Sequence, residues 1–242
     1  MKEVILPTVP AAQSESWTGL LDLADRIPDC WAVIGGQMVN LHCWERKAIP
    51  NRPTDDLDAV LDIRTVPAML KNVTHVLVEI GFSSGGKSPE GHEHRWVRDN
   101  AVIDLLIASV LGKRASSRKG IFGGTTISAP GGQGALDRAE KVRIIHQGRN
   151  AVINRPNLIG AIVVKAAAYG NTRDTYRERH LKDIAVLSTL VEASDALDLI
   201  ISKYERRRLT LALKALKENL ALINSVSGAS EGVSRVKLLL ER

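Results

Sequence analysis

Three aspartates stand in two short segments that predict neighbouring β-strands. Asp56 and Asp58 lie two residues apart in RPTDDLD (52–58), where a strand begins, and side chains two apart in a strand point to the same face. Asp104 interrupts the apolar segment AVIDLLIAS (101–109), where a buried carboxylate needs a partner. If the two strands are neighbours, the three carboxylates converge. Such hard oxygen ligands suit Mg²⁺ and a two-metal phosphoryl or nucleotidyl transfer.

Each of these features also has an ordinary explanation. A D-x-D pair at a loop-to-strand junction is often a cap or a solvated pair, and Asp104 alone fits a salt-bridged strand residue. The pair Gly35-Gly36, which follows the apolar segment CWAVI, fits a common turn. The prediction of a site therefore depends on the three features occurring together, in this order, on predicted strands and turns.

A fourth pattern, GFSSGGKS (81–88), spells the Walker A P-loop, which requires a strand before it and a helix after it. The apolar residues that precede it recur at helical rather than strand spacing, and Gly81 stands where a helix C-terminal cap is expected. The segment HRWV that follows predicts a strand. We therefore predict a loop with no phosphate-binding role for Lys87.

The remaining metal-ligand residue types predict no further site. His92 and His94 lie two residues apart in a loop with no third ligand nearby in sequence, so we expect them to be exposed to solvent. Cys30 and Cys43 are the only cysteines, too few for a disulfide framework or a zinc site, and are predicted to be reduced thiols in or near the core.

The pattern of elements predicts an α+β fold with two domains, a small mixed β-sheet core with helices over residues 1–153 and an all-helical part over 154–242. Residues 94–99 and 101–109 predict two paired strands with a turn at Asp99-Asn100. The other strands are predicted at 30–36, 57–63, TTIS and 141–147. Helices are predicted at 14–27, 37–47, 66–80, 157–170, 177–191, 194–206, 209–225 and 231–240.

Composition is that of a soluble globular protein, with 44% hydrophobic and 25% charged residues. No apolar run approaches the ~20 residues that span a bilayer, and the N-terminus makes a poor signal peptide, so we expect a cytoplasmic protein without membrane partners. The net charge is +6, and residues 151–242 carry 15 basic and 10 acidic side chains against 18 and 17 in residues 1–150. This basic half fits either a polyanionic partner such as RNA or ordinary solvated helix surface.

The motifs resemble a known family. VIGG (33–36), RPTDDLD and VIDLL (102–106) are similar to the signature of the nucleotidyltransferase superfamily of DNA polymerase β, an apolar-Gly-Gly turn, a D-x-D strand and a third Asp on a later strand. KAAAYGNTR (165–173) and RHLKDIAVL (179–187) resemble the helical part of the abortive-infection, AbiEii-type, nucleotidyltransferase toxins. The resemblance covers roughly residues 30–190.

The resemblance implies roles for the residues of the first three motifs. Gly35 and Gly36 would hold the triphosphate through their backbone, and Asp56 and Asp58 would bind both metal ions. Asp104 would bind the catalytic metal and help to deprotonate the attacking hydroxyl.

In the helical part, the resemblance implies that Lys165 contacts the nucleotide phosphates and that Asp183 orients Lys165 or the base. Exposed helix positions with surface charges remain the alternative for both residues. The chain departs from the family pattern in a longer gap between Gly36 and Asp56 and in Val186, where a second acid is common, which leaves the role of Asp183 open.

The activity implied is transfer of a nucleoside monophosphate from an NTP to an acceptor hydroxyl, with two Mg²⁺ ions and release of pyrophosphate. The toxin-like part implies the 3′ end of tRNA as acceptor and a possible cognate antitoxin. Two alternatives stay open. The first is a small antibiotic as acceptor, which an acidic pocket would favour, whereas a basic groove would favour RNA. The second is a non-catalytic partner in a toxin–antitoxin pair, which the three intact aspartates disfavour.

Overall fold

Residues 1–109, 112–197 and 199–241 are described by the computed structural model, and in them nine strands form two sheets. The strands are β1 (Lys2–Ile5), β2 (Trp31–Ile34), β3 (Leu57–Leu61), β4 (Ser83–Ser84), β5 (Arg95–Arg98), β6 (Ala101–Ala108), β7 (Ile127–Ala129), β8 (Ala139–His146) and β9 (Arg149–Pro156). The helices are α1 (Ala11–Arg26), α2 (Gly35–Glu45), α3 (Met69–Glu79), α4 (Lys113–Ser116), α5 (Gly132–Asp137), α6 (Leu158–Tyr169), α7 (Glu178–Thr189), α8 (Lys203–Glu218), α9 (Leu220–Asn224) and α10 (Ala229–Leu240). The predicted α+β class is confirmed.

The larger sheet is mixed and has the strand order β2-β3-β6-β5-β4, with β7 paired to the end of β6. β3 runs parallel to β6 and antiparallel to β2, while β5 and β6 form an antiparallel hairpin. The strands β2, β3 and β6 are buried along almost their whole length, as expected for a sheet covered on both faces. The strands predicted from these apolar runs are confirmed, as is the hairpin turn at Asp99-Asn100.

The smaller sheet has the order β1-β8-β9, and the sequence analysis predicts only its middle strand. β1 buries only one of its four residues, Val4, and is placed by parallel pairing with β8, about 140 positions away in the chain. β9 follows β8 through a two-residue turn in which Gln147 and Gly148 have φ of 50° and 80°, the left-handed values that suit a tight hairpin. Its polar residues Asn154 and Arg155 are buried, which hides the strand from a reading of apolar patterns.

From Leu158 onward the regular elements of the described residues are helices, but the helix predicted at 194–206 is wrong, because a 3₁₀ turn occupies Ala193–Ala196 and the next helix begins only at Lys203. The helix predicted at 209–225 is present but begins earlier, as α8, and is broken at Asn219 before the short α9. The start of α8 is fixed by a capping box in which Glu205 N donates to Ser202 Oγ and Ser202 N donates to the Glu205 carboxylate.

The GFSSGGKS segment is not a P-loop, as predicted. Helix α3 precedes it, Gly81 has φ of 91° at the helix end, and the short strand β4 within the motif pairs with β5. Lys87 Nζ donates a hydrogen bond to the carbonyl of Phe122 at 2.8 Å. The segment is therefore a loop at the edge of the larger sheet.

The expectation that His92 and His94 are exposed is wrong, because both are partly buried. His92 Nδ1 lies 3.0 Å from Thr125 Oγ1, and Glu93 N donates to the Thr125 carbonyl, so this loop packs against the segment before β7. Cys30 and Cys43 are free thiols, partly and fully buried, as predicted. Within the described ranges, the helices are too short or too polar to cross a membrane.

Candidate active site

The three aspartates converge, as predicted from the strand patterns. Asp58 of β3 and Asp104 of β6 are partners at the same register position of two parallel strands, and Asp56 lies just before β3. Asp58 is partly buried, and this burial, with the negative charges of Asp56 and Asp104, raises its pKa to about 7. The raised pKa therefore reflects burial first and repulsion among the carboxylates second.

A guanidinium group occupies the space between two of these carboxylates. Arg95 of β5 lies opposite Asp104 in the hairpin and binds it bidentately, with Nε 2.9 Å from Oδ1 and Nη2 2.7 Å from Oδ2. The same Nη2 lies 3.6 Å from Asp56 Oδ2. No three His, Cys, Asp or Glu side chains are arranged as a metal site within residues 1–109, 112–197 and 199–241. The partner expected for Asp104 is thus Arg95.

The Gly35-Gly36 turn packs directly against the aspartate segment. Gly35 has φ of 69°, and a Cβ at this position would overlap Asp58 Oδ2. A Cβ on Gly36 would lie 2.8 Å from the side chain of Thr54, whose hydroxyl donates to Asp56 Oδ1 at 3.0 Å. The turn therefore needs glycines, and it brings the N-terminus of α2, with its positive dipole, next to Asp58.

A cavity of about 190 Å³ opens beside this turn. Its walls come from the ends of β2, β3 and β6, from the segment around β7, from α6 and from the chain leading into α7. The cavity joins residues of the sheet to residues of the helical part. The chemically active residues among those lining it are Gly35, Asp58, Ser128, Lys165, Asn171, Asp174, Arg179 and His180.

Lys165 and Asp183 are not surface charges. Lys165 of α6 is 2% exposed and Asp183 of α7 is fully buried, with Nζ and Oδ2 2.7 Å apart. Arg52 also donates to Asp183, from Nε at 3.2 Å and from Nη2 at 3.3 Å. Burial alone would raise the pKa of Asp183, but the two cations outweigh it and hold the pKa below its usual value. Asp183 is therefore an anion that fixes the Lys165 ammonium in the cavity wall.

Four residues near the site are not among those predicted from the sequence: Arg52, Arg95, Asp174 and His180. His180 Nε2 lies 3.1 Å from Asp174 Oδ2, and burial together with the Lys165 charge lowers the pKa of His180 to about 4, which keeps the ring neutral at pH 7. Of these, only Arg95 could have been predicted from the sequence, because the predicted hairpin turn at 99–100 places position 95 opposite Asp104.

The fold is shared with a solved nucleotidyltransferase-like structure. The crystal structure of an antigenic nucleotidyltransferase-like protein from Paracoccidioides brasiliensis superposes with a TM-score of 0.52 at 14% identity, covering 89% of this chain and 94% of that chain. At this identity the likeness shows the fold and not the activity. No protein-family model matches the chain, and a search of curated proteins finds no match.

Two structures of the antibiotic-resistance factor ANT(2'')-Ia are more distant. The solution structure has a TM-score of 0.44 at 11% identity and covers 90% of this chain and 97% of that one. The crystal structure in complex with adenylyl-2''-tobramycin has a TM-score of 0.46 at 13% identity, covering 85% and 99%.

Proposed function

We propose that the protein is a metal-dependent nucleotidyltransferase that moves a nucleoside monophosphate from an NTP to an acceptor hydroxyl and releases pyrophosphate. The observation that carries the proposal is the convergence of Asp56, Asp58 and Asp104 at neighbouring strands. Of the three, Asp58 lines the cavity, together with Gly35 and Lys165. Carboxylates to hold metal ions, a glycine turn for phosphates and a buried ammonium are the parts that phosphoryl transfer needs.

The donor set fits a pair of Mg²⁺ ions in chemical type. All three side chains offer hard carboxylate oxygens, and the negative charges of Asp56 and Asp104 add to burial in raising the pKa of Asp58. Asp56, Asp58 and Asp104 would hold the ions, which when bound supply charge neutralisation for the phosphates.

The remaining steps belong to residues of the chain itself. The backbone amides of Gly35 and Gly36, at the N-terminus of α2, bind phosphate oxygens, since a helix N-terminus favours anions. Lys165 Nζ adds a positive charge in the cavity wall, and Asp183 holds that ammonium in place. The Asp104 carboxylate accepts the proton of the attacking hydroxyl, and the site contributes mainly positioning and charge neutralisation.

An RNA 3′ end, specifically that of tRNA, is the acceptor we propose, with the chain acting as the toxin of a toxin–antitoxin pair of AbiEii type. Basic residues at the start of α7 and just before it support a polyanionic acceptor, because Arg179 lines the cavity and the Arg177 guanidinium stacks 5.0 Å from the ring of Tyr169. Arg173 is exposed in the segment between α6 and α7. Phosphate contacts of this kind supply most non-specific affinity for nucleic acids.

Incubation with each α-³²P-labelled NTP, Mg²⁺ and total RNA tests the proposal. The expected result is label in the tRNA band, dependent on Mg²⁺ and absent with Asp58→Asn. Label on an added aminoglycoside and not on RNA would replace the acceptor with a small antibiotic. No label on either acceptor, with any NTP, would reject the activity.

A further inference from the structure

Arg95 neutralises the aspartate cluster from a position that it can leave. Its side chain is 47% exposed, whereas that of Asp104, which it binds bidentately, is only 8% exposed. A nearly buried carboxylate needs a cation at all times, but a half-exposed guanidinium can turn into solvent. The next residue, Trp96, is fully buried on the other face of β5 and anchors the strand in the core.

The guanidinium and a metal ion compete for the same oxygens. Arg95 engages both oxygens of Asp104 and approaches Asp56, two of the three carboxylates that would hold the ions. A divalent cation placed on these oxygens would meet the fixed positive charge of Arg95 at contact distance, and the two cations repel. Occupation by metal therefore requires the guanidinium to withdraw.

We propose that Arg95 is a tethered cation that holds Asp104 and Asp56 in the metal-free protein and is displaced when a divalent ion binds. The inference rests on the proposed metal-dependent function, and it assigns to one positioning residue the control of metal affinity. Metal is then held more weakly by the wild-type protein than by a protein that lacks the Arg95 charge.

Direct Mn²⁺ binding to the full chain, measured without nucleotide by electron paramagnetic resonance of the free ion, tests the inference. Arg95→Gln is expected to bind Mn²⁺ at least about tenfold more tightly than the wild type, because a repelling unit charge is removed. Arg98→Gln is the matched control on the same strand, since Arg98 pairs with Asp22 and not with the cluster. Its Mn²⁺ affinity should equal that of the wild type.

Thermal melting gives a second reading that keeps the inference testable if Arg95→Gln folds poorly. In EDTA, Arg95→Gln should melt below the wild type, and added Mn²⁺ should raise its melting temperature by more than it raises that of the wild type. The milder Arg95→Lys keeps a charge but loses the bidentate bond, and its Mn²⁺ affinity should fall between those of the wild type and Arg95→Gln.

Equal or weaker Mn²⁺ binding by Arg95→Gln and Arg95→Lys, compared with the wild type, would overturn the inference. This result can be distinguished from the result of the labelling experiment that tests the proposed function. If the wild type labels RNA but the Arg95 variants bind Mn²⁺ no better, the function stands and the competition is rejected. If the variants bind Mn²⁺ more tightly while no acceptor is labelled, the competition stands and the transferase is rejected.

Discussion

Replacing Asp183 with Asn tests whether this carboxylate exists to hold a buried ammonium. In the described part of the chain, Asp183 is the one acidic side chain in ion-pair contact with Lys165, and both are almost fully buried. The variant keeps the shape of the side chain and removes its charge. Lys165 is then left in the cavity wall without an anion, and Arg52 loses its two charge-assisted bonds.

The expected loss of stability is large. Removing one partner of a buried ion pair costs about 3–5 kcal/mol, because the remaining charge is uncompensated. For a chain of 242 residues this lowers the melting temperature by roughly 6–20 °C. Lys165→Met should cost less, since Asp183 keeps its bonds to Arg52. The double variant should also be more stable than Asp183→Asn alone.

The pH dependence has a definite sign. Because the pKa of Asp183 is held below its usual value, its contribution to stability is present above the unfolded pKa of about 3.9 and is lost as pH falls through the folded value. Melting curves of the wild type and the three variants between pH 3 and 8 measure both effects. An Asp183→Asn protein that melts within about 2 °C of the wild type at pH 7 would refute the reasoning.

Three further predictions concern the loop, the glycine turn and the arginine segment. Lys87→Ala should leave nucleotidyl transfer nearly unchanged, because the Lys87 ammonium bonds the Phe122 carbonyl in the loop, and a loss of a hundredfold or more would restore the P-loop hypothesis. Gly35→Ala should abolish transfer and lower the melting temperature, because the added Cβ would overlap Asp58. Gly86→Ala is the control, since Gly86 also has a positive φ, 104°, but has open space around it. This control introduces the backbone strain without the overlap and should retain activity. The affinity for tRNA should fall as salt rises, and the slope of log affinity against log salt should become shallower by roughly 0.7 for each phosphate contact removed. The variants to measure are Arg173→Gln, Arg177→Gln and Arg179→Gln. Binding of the wild type that does not depend on salt would contradict an RNA acceptor.

The sheet that carries the aspartates could be predicted from local patterns. Uninterrupted apolar runs mark β2, β3 and β6, and a carboxylate inside such a run, as at Asp104, is conspicuous. Parallel pairing of β3 with β6 then follows from placing both carboxylates at one site, and the register sets Asp58 beside Asp104. The hairpin register also contained the position of Arg95, which an alignment of the two strands about the turn would have found.

Contacts between distant segments could not be predicted in this way. Arg52 and Asp183 are 131 positions apart and meet only because α7 packs beside the loop before β3. The strand β1 has too few buried residues to give a pattern of its own, and its partner lies about 140 residues later. Burial of Lys165 is equally a property of the packed helices, since α6 is apolar on every side around it. The start of α8 differs, because its S-x-x-E capping box is visible in the sequence at Ser202.

The measurement that tests the account most directly compares Asp58→Asn with Asp55→Asn in nucleotidyl transfer and in thermal melting. Asp58 lies in β3 against Asp104 and the cavity, whereas Asp55, three residues earlier, is exposed. We expect Asp58→Asn to lose transfer by several orders of magnitude, because a ligand for the metal ions is removed, while its melting temperature holds or rises as repulsion among the carboxylates is relieved. Asp55→Asn should match the wild type in both assays. Equal transfer by the two variants would contradict the assignment of the aspartate cluster as the catalytic centre.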